Sequence, residues 1–235
     1  MATSAFITRL RSLAPLSEAD VYAVERVEMK RFSFQRRQDV LSKGMKPTFV
    51  YILLSGWAAR YEVRRNGGRR ITGFLLPGDF CGIHAVCEAS MDHSIIALTH
   101  CIIGTIQREA MEAIAKASQP IFDAVWRAKL VEEAILRKWL VYAADAHQSV
   151  GRLLCELYAR VDAVGLTSNG SCEVPLTQEM IGDALGLTPV HVNRMLQKLR
   201  AERLIELHDH ELKILDAANL EMVAEFEPSY LQPWH

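Results

Sequence analysis

Side chains that can hydrogen-bond to the edges of bases follow a threonine and a proline late in the chain. Residues 188–203 hold three arginines and one lysine against Glu202, a local charge of +3 in a chain of formal net charge −1. An arginine can donate two hydrogen bonds to guanine O6 and N7, and a lysine suits a phosphate. The spacing predicts a nucleic-acid contact made by one helix face, with Val190, His191, Asn193, Arg194 and Lys198.

Cysteines and histidines form a second chemically capable group, crowded into residues 81–101. Imidazole and thiolate are the usual axial ligands of haem iron, so these residues could hold a haem or a metal ion. A cysteine in a strand is also a small hydrophobic residue, and a loop histidine commonly hydrogen-bonds, so a purely structural interpretation stays open. The group consists of Cys81, His84, Cys87, His93, His100 and Cys101.

The nucleic-acid contact requires a helix that presents one face outward. Thr188 and Pro189 suit the N-cap and first position of such a helix, Gly186 can end the helix before it, and Thr177 can cap that earlier helix. The inward face of the second helix would pack on the first. Its members are Val192, Met195, Leu196 and Leu199.

Two short alternating runs follow this helix pair and predict a β-hairpin. Residues 204–207 and 211–215 flank a polar tip at residues 208–210, as in the wing of a winged helix. We therefore predict a winged helix-turn-helix, in which Gln178 and the free N–H groups of the first helix lie over a phosphate.

The first half of the chain predicts strands. Short apolar runs rich in β-branched and aromatic residues alternate with glycines over residues 27–108, which indicates a sandwich, barrel or roll. Asn66-Gly67 predicts a tight hairpin turn with positive φ angles. The basic segment around it, residues 64–70, is interpreted as a solvated surface, with flanking DNA or RNA polymerase as further options. The predicted strands are residues 49–54, 58–63, 71–76 and 95–98.

A long helical stretch is predicted for residues 108–164, followed by a loop at 165–172. An apolar stripe within it recurs every three or four residues. The stripe must be buried, either against the chain's own β region or against the same helix of a second copy, and its spacing does not choose. Its members are Ile121, Val125, Ala128, Val131, Ile135 and Trp139.

Charge and composition bound the class of protein. Residues 1–80 hold 14 Lys and Arg against 7 Asp and Glu, whereas residues 81–235 hold 13 against 21. Five cysteines without regular spacing, no signal-like N-terminus and no membrane-length apolar run predict a reduced, cytoplasmic protein without membrane contact. No Ser/His/Asp or paired-carboxylate arrangement stands out, so an enzyme is not expected.

The order of these parts resembles the cyclic-AMP receptor protein and fumarate-nitrate regulator (CRP/FNR) superfamily of transcription factors. The resemblance rests on residues 76–80, followed by Gly82 and His93-Ser94, and on the helix from Thr188 to Arg194. It implies an α+β fold: an N-terminal, jelly-roll-like β-roll (1–110), a long dimerisation helix (111–148) and a C-terminal winged helix-turn-helix (149–235).

The same resemblance implies a homodimer that binds a two-fold symmetric site in double-stranded DNA through Thr177, Gln178, Thr188 and the outward face of the second helix. An activator of this kind would also contact RNA polymerase. Many relatives carry a glutamate where this chain has Val190, which could contact only a thymine methyl. We therefore expect a DNA site different from the familiar one.

The turn that follows residues 76–80, here called the effector turn, differs in sequence from that of the cyclic-nucleotide-binding members. They have Gly-Glu and Arg-Ser where this chain has Gly82-Ile83 and His93-Ser94, so the ribose-binding carboxylate and the phosphate-binding guanidinium are both missing. We expect an unknown small-molecule effector other than cyclic AMP. The expected pocket residues are Gly82, Ile83, His84, His93 and Ser94.

The sequence also differs from two cofactor-dependent sensor types of the superfamily. Iron-sulfur members need an N-terminal cysteine cluster, and no cysteine precedes Cys81. In the haem members, the histidine ligand falls at His84, but the cysteine ligand falls at Gly82, one place from Cys81, and their N-terminal proline is Ala2 here. We expect no cofactor or metal, with a haem or metal sensor of gas or redox state, using His84 and Cys81, as the alternative.

Overall fold

The computed structural model describes residues 2–231. They form two compact units, one of residues 2–62 and 72–132 and one of residues 63–71 and 133–231. The first unit contains a β-roll and the second a winged helix-turn-helix, so the predicted α+β fold is confirmed. The predicted domain limits at residues 110 and 148 stay a prediction.

Two four-stranded sheets make the roll. The strands are β1 Met29–Phe34, β2 Asp39–Leu41, β3 Phe49–Ser55, β4 Ala58–Val63, β5 Arg69–Leu75, β6 Phe80–Gly82, β7 Ser94–Ala97 and β8 Cys101–Gln107. The sheet orders are β1-β8-β3-β6 and β2-β7-β4-β5, and in the first sheet each neighbouring pair runs antiparallel. All four predicted strands are present, within a residue or two of their expected ends.

The core of the first unit lies between the two sheets. Leu53 and Ile103 from one sheet pack with Ile95 and Ala97 from the other, and all four are fully buried. Cys81, at the centre of β6, belongs to the same cluster. Removal of this apolar surface from water stabilises the roll by roughly 25 cal/mol for each Å² buried.

The hairpin tip between β4 and β5 is wider than the predicted tight turn. Gly67 has φ of +80°, but Asn66 is absent from the positive-φ residues of the described chain. The Arg64 N–H donates to the Gly68 carbonyl (2.9 Å), and the Gly67 N–H donates to the Arg64 carbonyl (2.9 Å). This pattern is a turn followed by a left-handed glycine, so the prediction of positive φ at both positions is wrong for Asn66.

Three helices occupy the predicted long helical stretch: α3 Arg108–Ala117, α4 Gln119–Val141 and α5 Ala146–Ala163. Breaks occur at Ser118 and before Asp145, whose side chain caps α5 by accepting from the Gln148 N–H. Two earlier helices, α1 Ala2–Leu13 and α2 Glu18–Glu25, were not predicted from the sequence.

The long helix α4 carries two apolar faces. Ile121, Val131 and Ile135 of the predicted stripe are buried within the chain itself. A second face is exposed and lies within one narrow arc of the helix. Its members, here called the α4 apolar face, are Phe122, Trp126, Leu136 and Leu140.

The second unit carries the helix pair and the wing. Its elements are β9 Ser171–Glu173, α6 Gln178–Leu185, α7 Pro189–Ala201, β10 Ile205–His208, β11 Glu211–Ile214 and α8 Ala217–Val223. The predicted hairpin, formed by β10 and β11, is confirmed, and positive φ at both Asp209 and His210 gives it a two-residue turn. Strand β9 adds to β11 as a third strand.

No helix among the described residues has both the length and the apolar character needed to cross a membrane.

Candidate nucleic-acid interface and ligand site

The ends of α6 and α7 are fixed by the capping residues that the sequence predicts. Thr177 Oγ1 accepts from the Met180 N–H, and Thr188 Oγ1 accepts from the His191 N–H, each at 3.2 Å. Gly186 ends α6 with φ of +76°, and Pro189 is the first residue of α7. The caps hold the first turn of α7 in place and leave its N-terminal N–H groups at the surface.

A glycine that the sequence analysis did not single out sets the distance between α6 and the turn. The carbonyl of Gly182 accepts from the N–H groups of Gly186 (2.7 Å) and Leu187 (3.1 Å). A Cβ atom at Gly182 would lie 2.5 Å from the Leu187 carbonyl oxygen. Only glycine therefore permits this close turn between the two helices.

The inward face of α7 anchors the helix in the second unit. Val192, Leu196 and Leu199 are buried, and Met195 is half-buried. The helix contacts both α5 and α6. The predicted packing of the helix pair is thus present, and it fixes which side chains point away.

The opposite face of α7 is open to solvent. Val190 is 71% exposed, Asn193, Arg194 and Lys198 are exposed, and His191 is half-buried. Gln178 Nε2 donates to Asn193 Oδ1 (3.1 Å), so the exposed ends of α6 and α7 share a polar contact. The predicted nucleic-acid residues, together with Thr177 and Thr188, occupy one continuous part of the helix pair.

The basic hairpin tip is not simply solvated. Arg69 Nε lies 2.7 Å from Asp183 Oδ2 of α6, inside the second unit. Arg69 is therefore paired with a carboxylate and is not a free cation of the hairpin surface.

The effector-turn residues of the roll occupy different environments. Gly82 ends β6 and is buried, while Ile83 and Ser94 are half-buried. Ser94 Oγ accepts from the Lys43 N–H (2.9 Å) and so stabilises the backbone. His84 begins a 3₁₀ turn, His84–Cys87, which brings its ring beside that of His93, with ring centroids 5.5 Å apart.

The clustered cysteines and histidines do not form a single site. Cys81 is 1% exposed in the core, and burial raises the pKa of its thiol far above the ordinary value. Cys101 Sγ donates to the Trp57 carbonyl (3.0 Å), and His100 Nε2 is hydrogen-bonded to Ser33 Oγ (2.8 Å). Cys87 is exposed. Of these six residues, His84 and His93 place their rings side by side, whereas Cys81 and Cys101 share the apolar core of the roll.

Charged residues that the sequence analysis missed lie near these histidines. Arg60 Nη2 lies 3.1 Å from Glu132 Oε2 and donates to the Phe80 carbonyl (2.7 Å). Lys129 Nζ donates to the same Glu132 carboxylate at 2.6 Å. Burial, followed by the positive charge of Arg60, lowers the pKa of His93, so its neutral form is favoured.

Comparison with known proteins identifies the family of the β-roll and that of the helix pair. Residues 31–118 match the cyclic nucleotide-binding domain family, and residues 148–223 match the Crp-like helix-turn-helix domain family. The roll and the helix pair therefore define a regulator with a nucleotide-binding-like domain and a DNA-binding domain.

Relatives support the same assignment. The chain is 27% identical over 193 residues to the transcriptional activator protein FnrL of Cereibacter sphaeroides, covering 80% of this chain and 77% of that protein. It is 24% identical over 204 residues to the regulatory protein HlyX of Actinobacillus pleuropneumoniae, covering 85% and 83%. The structure of FixK2 from Bradyrhizobium japonicum has the same fold, with TM-score 0.73 at 20% identity over 84% of this chain and 98% of that one. The chain belongs to the CRP/FNR superfamily of transcriptional regulators.

Proposed function

We propose that this regulator is a homodimer that binds a two-fold symmetric DNA site in a sequence-specific way. The observation that carries the proposal is the exposed face of α7, where Arg194 and Lys198 are held outward by the buried residues Val192, Leu196 and Leu199. A capped, exposed, basic helix behind a two-helix turn fits the major groove. Its place of action would be the cytoplasm, where a bacterial regulator meets its DNA.

Each outward side chain has a role that follows from its chemistry. Arg194 would donate to guanine, Val190 would contact a thymine methyl, and Lys198 would contact a phosphate. Gln178 and Asn193, already hydrogen-bonded to each other, would meet the DNA as a pair. Thr177 and Thr188 hold the helix N-termini whose free N–H groups suit phosphate oxygens.

The α4 apolar face supports a homodimer. Its two most exposed members, Trp126 (61%) and Leu140 (79%), are large hydrophobic side chains, and such surface in a soluble helix marks a contact with a partner. A second copy of the same helix would cover it along a two-fold axis. Two α7 helices related by that axis would match a symmetric DNA site.

The effector would be a small molecule other than cyclic AMP. Ile83 and His93 offer neither the carboxylate nor the permanent guanidinium that a cyclic nucleotide needs. Arg60, the nearby arginine, is paired with Glu132 and the Phe80 carbonyl. By binding one arrangement of the dimer better, the effector would shift the population that binds DNA, and an activator would then contact RNA polymerase.

Haem fits the described residues poorly. Cys81, the proposed second ligand, is buried among apolar side chains of the roll, and burial raises the pKa of its thiol, which disfavours the thiolate that iron binds. We therefore do not favour the haem interpretation.

Selection of bound sequences from a pool of random duplex DNA tests the proposal. At moderate salt we expect one two-fold symmetric motif to be enriched. Arg194→Ala should lose the preference at one base pair of each half-site and bind about tenfold to a hundredfold more weakly. Lys116→Ala, which removes an exposed cation of α3, should bind as the original chain does. The proposal fails if no sequence is enriched over random DNA.

A further inference from the structure

Two imidazoles and one carboxylate meet at the end of the effector turn. Asp92 Oδ1 lies 2.6 Å from His93 Nδ1 and 3.3 Å from His84 Nε2. One ligand atom from each of the three side chains lies within 4.8 Å of the other two. The histidine side chains are 13% and 20% exposed, whereas Asp92 is 79% exposed. The cluster thus has a buried side made of imidazoles and a side open to solvent made of a carboxylate.

The three side chains are close enough together to share one metal ion. Zinc bonds to histidine nitrogen and carboxylate oxygen are about 2.1 Å long, so two ligand atoms of one tetrahedral ion are about 3.4 Å apart. The 3.3 Å between Asp92 Oδ1 and His84 Nε2 is close to that value, whereas the 2.6 Å between Asp92 Oδ1 and His93 Nδ1 is a hydrogen bond that would lengthen to admit the ion. Small side-chain rotations are enough to bring all three groups around one ion.

The remaining nitrogens of the two rings, His84 Nδ1 and His93 Nε2, are buried and have no hydrogen-bond partner within residues 2–231. They lie on the far side of each ring from the atoms that face Asp92, so they are not the ligand atoms of this arrangement. Because no hydrogen bond within the described residues holds these far nitrogens, none of them opposes a rotation of either ring.

We propose that His84, Asp92 and His93 bind a divalent first-row transition-metal ion of the zinc type. Two imidazoles and a carboxylate are ligands that such ions prefer over calcium or magnesium. Three protein ligands leave a fourth position at the solvent side, beside Asp92, for water or another small ligand. The site uses neither Cys81 nor a porphyrin, and it does not depend on the proposed DNA-binding function.

Metal titration of the untagged, chelator-stripped full-length protein tests the site directly. Zn²⁺ should bind at one equivalent per chain in competition with a chromophoric chelator, and Co²⁺ should give the visible absorption of a site with nitrogen ligands. His84→Ala and His93→Ala should each weaken Zn²⁺ binding more than about tenfold. Asp92→Asn should do the same, and because Asp92 is exposed this variant is expected to fold normally.

Two control variants test whether histidines outside the cluster account for the Zn²⁺ binding. His100→Ala removes a histidine outside the cluster, and His208→Ala removes an exposed one from the wing; both should bind Zn²⁺ as the original chain does. Circular dichroism of every variant verifies that it is folded. The proposal is overturned if the original chain binds less than half an equivalent, if folded Asp92→Asn binds normally, or if His208→Ala removes the binding.

Discussion

A buried cation on a sheet needs a partner, and Arg60 of β4 has one on α4. Its side chain is mostly buried, and its guanidinium lies against the Glu132 carboxylate, which also accepts from Lys129. Burial raises the pKa of Glu132, but the charges of Arg60 and Lys129 lower it by more, so the pKa lies below its ordinary value of 4.5. The carboxylate therefore stabilises the folded first unit in its charged form.

Replacement of this carboxylate should change how stability depends on pH. Because the folded pKa of Glu132 is lower than the unfolded one, its contribution is complete above about pH 4.5 and is lost as the pH falls through the folded pKa. Glu132→Gln should lower the free energy of unfolding at pH 7 by roughly 2 kcal/mol and flatten its decline in acid. Urea unfolding between pH 7 and pH 3 measures both effects.

The neighbouring residue provides the control for this prediction. Glu133 is exposed on the same helix and pairs with Arg137, so Glu133→Gln should leave the free energy of unfolding nearly unchanged. Unfolding curves for Glu132→Gln that run parallel to the original at every pH would contradict the role assigned to the carboxylate.

At the scale of single residues, the sequence predicts what is local. Thr177, Gly186 and Thr188 are recognisable because a cap acts within three or four residues of its own position. The pairing of Arg60 with Glu132 joins residues far apart in the chain, and no local pattern reports it. His84 and His93 were expected near each other, whereas Asp92 between them was overlooked because a lone aspartate resembles any loop residue.

At the scale of elements, Gly182 decides how closely α6 approaches the turn. Gly182→Ala would place a Cβ atom 2.5 Å from the Leu187 carbonyl oxygen, so the helix pair must shift. We expect the variant to lose about 1–3 kcal/mol of stability and to bind DNA more weakly, since the shift changes the orientation of α7. Thermal unfolding and a DNA-binding titration measure the two effects.

Gly151 is the matched control because it also lies in a helix of the second unit. A Cβ atom there would meet Ala224 Cβ at 3.5 Å, an ordinary contact. Gly151→Ala should be neutral or stabilising by up to about 1 kcal/mol, because alanine favours a helix more than glycine does. Equal losses in the two variants would refute the steric role of Gly182.

Some strands of the roll were not predicted from the sequence, in one case because of a glycine. Gly104 is one of the glycines over residues 27–108 that were expected to separate strands, yet it lies inside β8, where a Cβ atom would clash with Met29 Sδ. Strand β1 was missed because Lys30 and Arg31 are exposed and make its sequence look like a loop. Runs such as residues 49–54 were predicted correctly because burial on both faces leaves a continuous apolar signal.

At the scale of the whole molecule, the α4 apolar face leads to a prediction about assembly. Trp126→Glu and Leu140→Glu would each place a charge in the proposed two-fold contact, where it would be buried against its own copy. Both variants should be monomeric at micromolar concentration, and both should bind a symmetric DNA site more weakly. Analytical ultracentrifugation measures the first effect and a DNA titration the second.

Met222→Glu is the control, since Met222 is an exposed hydrophobic residue of α8 outside that face. It should remain dimeric. Dimers of both α4 variants would show that the subunits meet elsewhere. Sequence periodicity could not show where the two subunits meet. The stripe that it detected is a different face of α4, and its members Ile121, Val131 and Ile135 are buried within the chain.

The near-cancellation of 27 basic by 28 acidic residues affects how such a regulator searches a genome. Attraction to arbitrary DNA is almost entirely electrostatic, and here residues 188–203, which include α7, carry a local charge of +3 in a second unit that otherwise holds more acidic than basic residues. Few molecules of the protein would therefore stay bound to unrelated DNA sequences. Occupancy of a target would then depend on base contacts such as those proposed for Arg194.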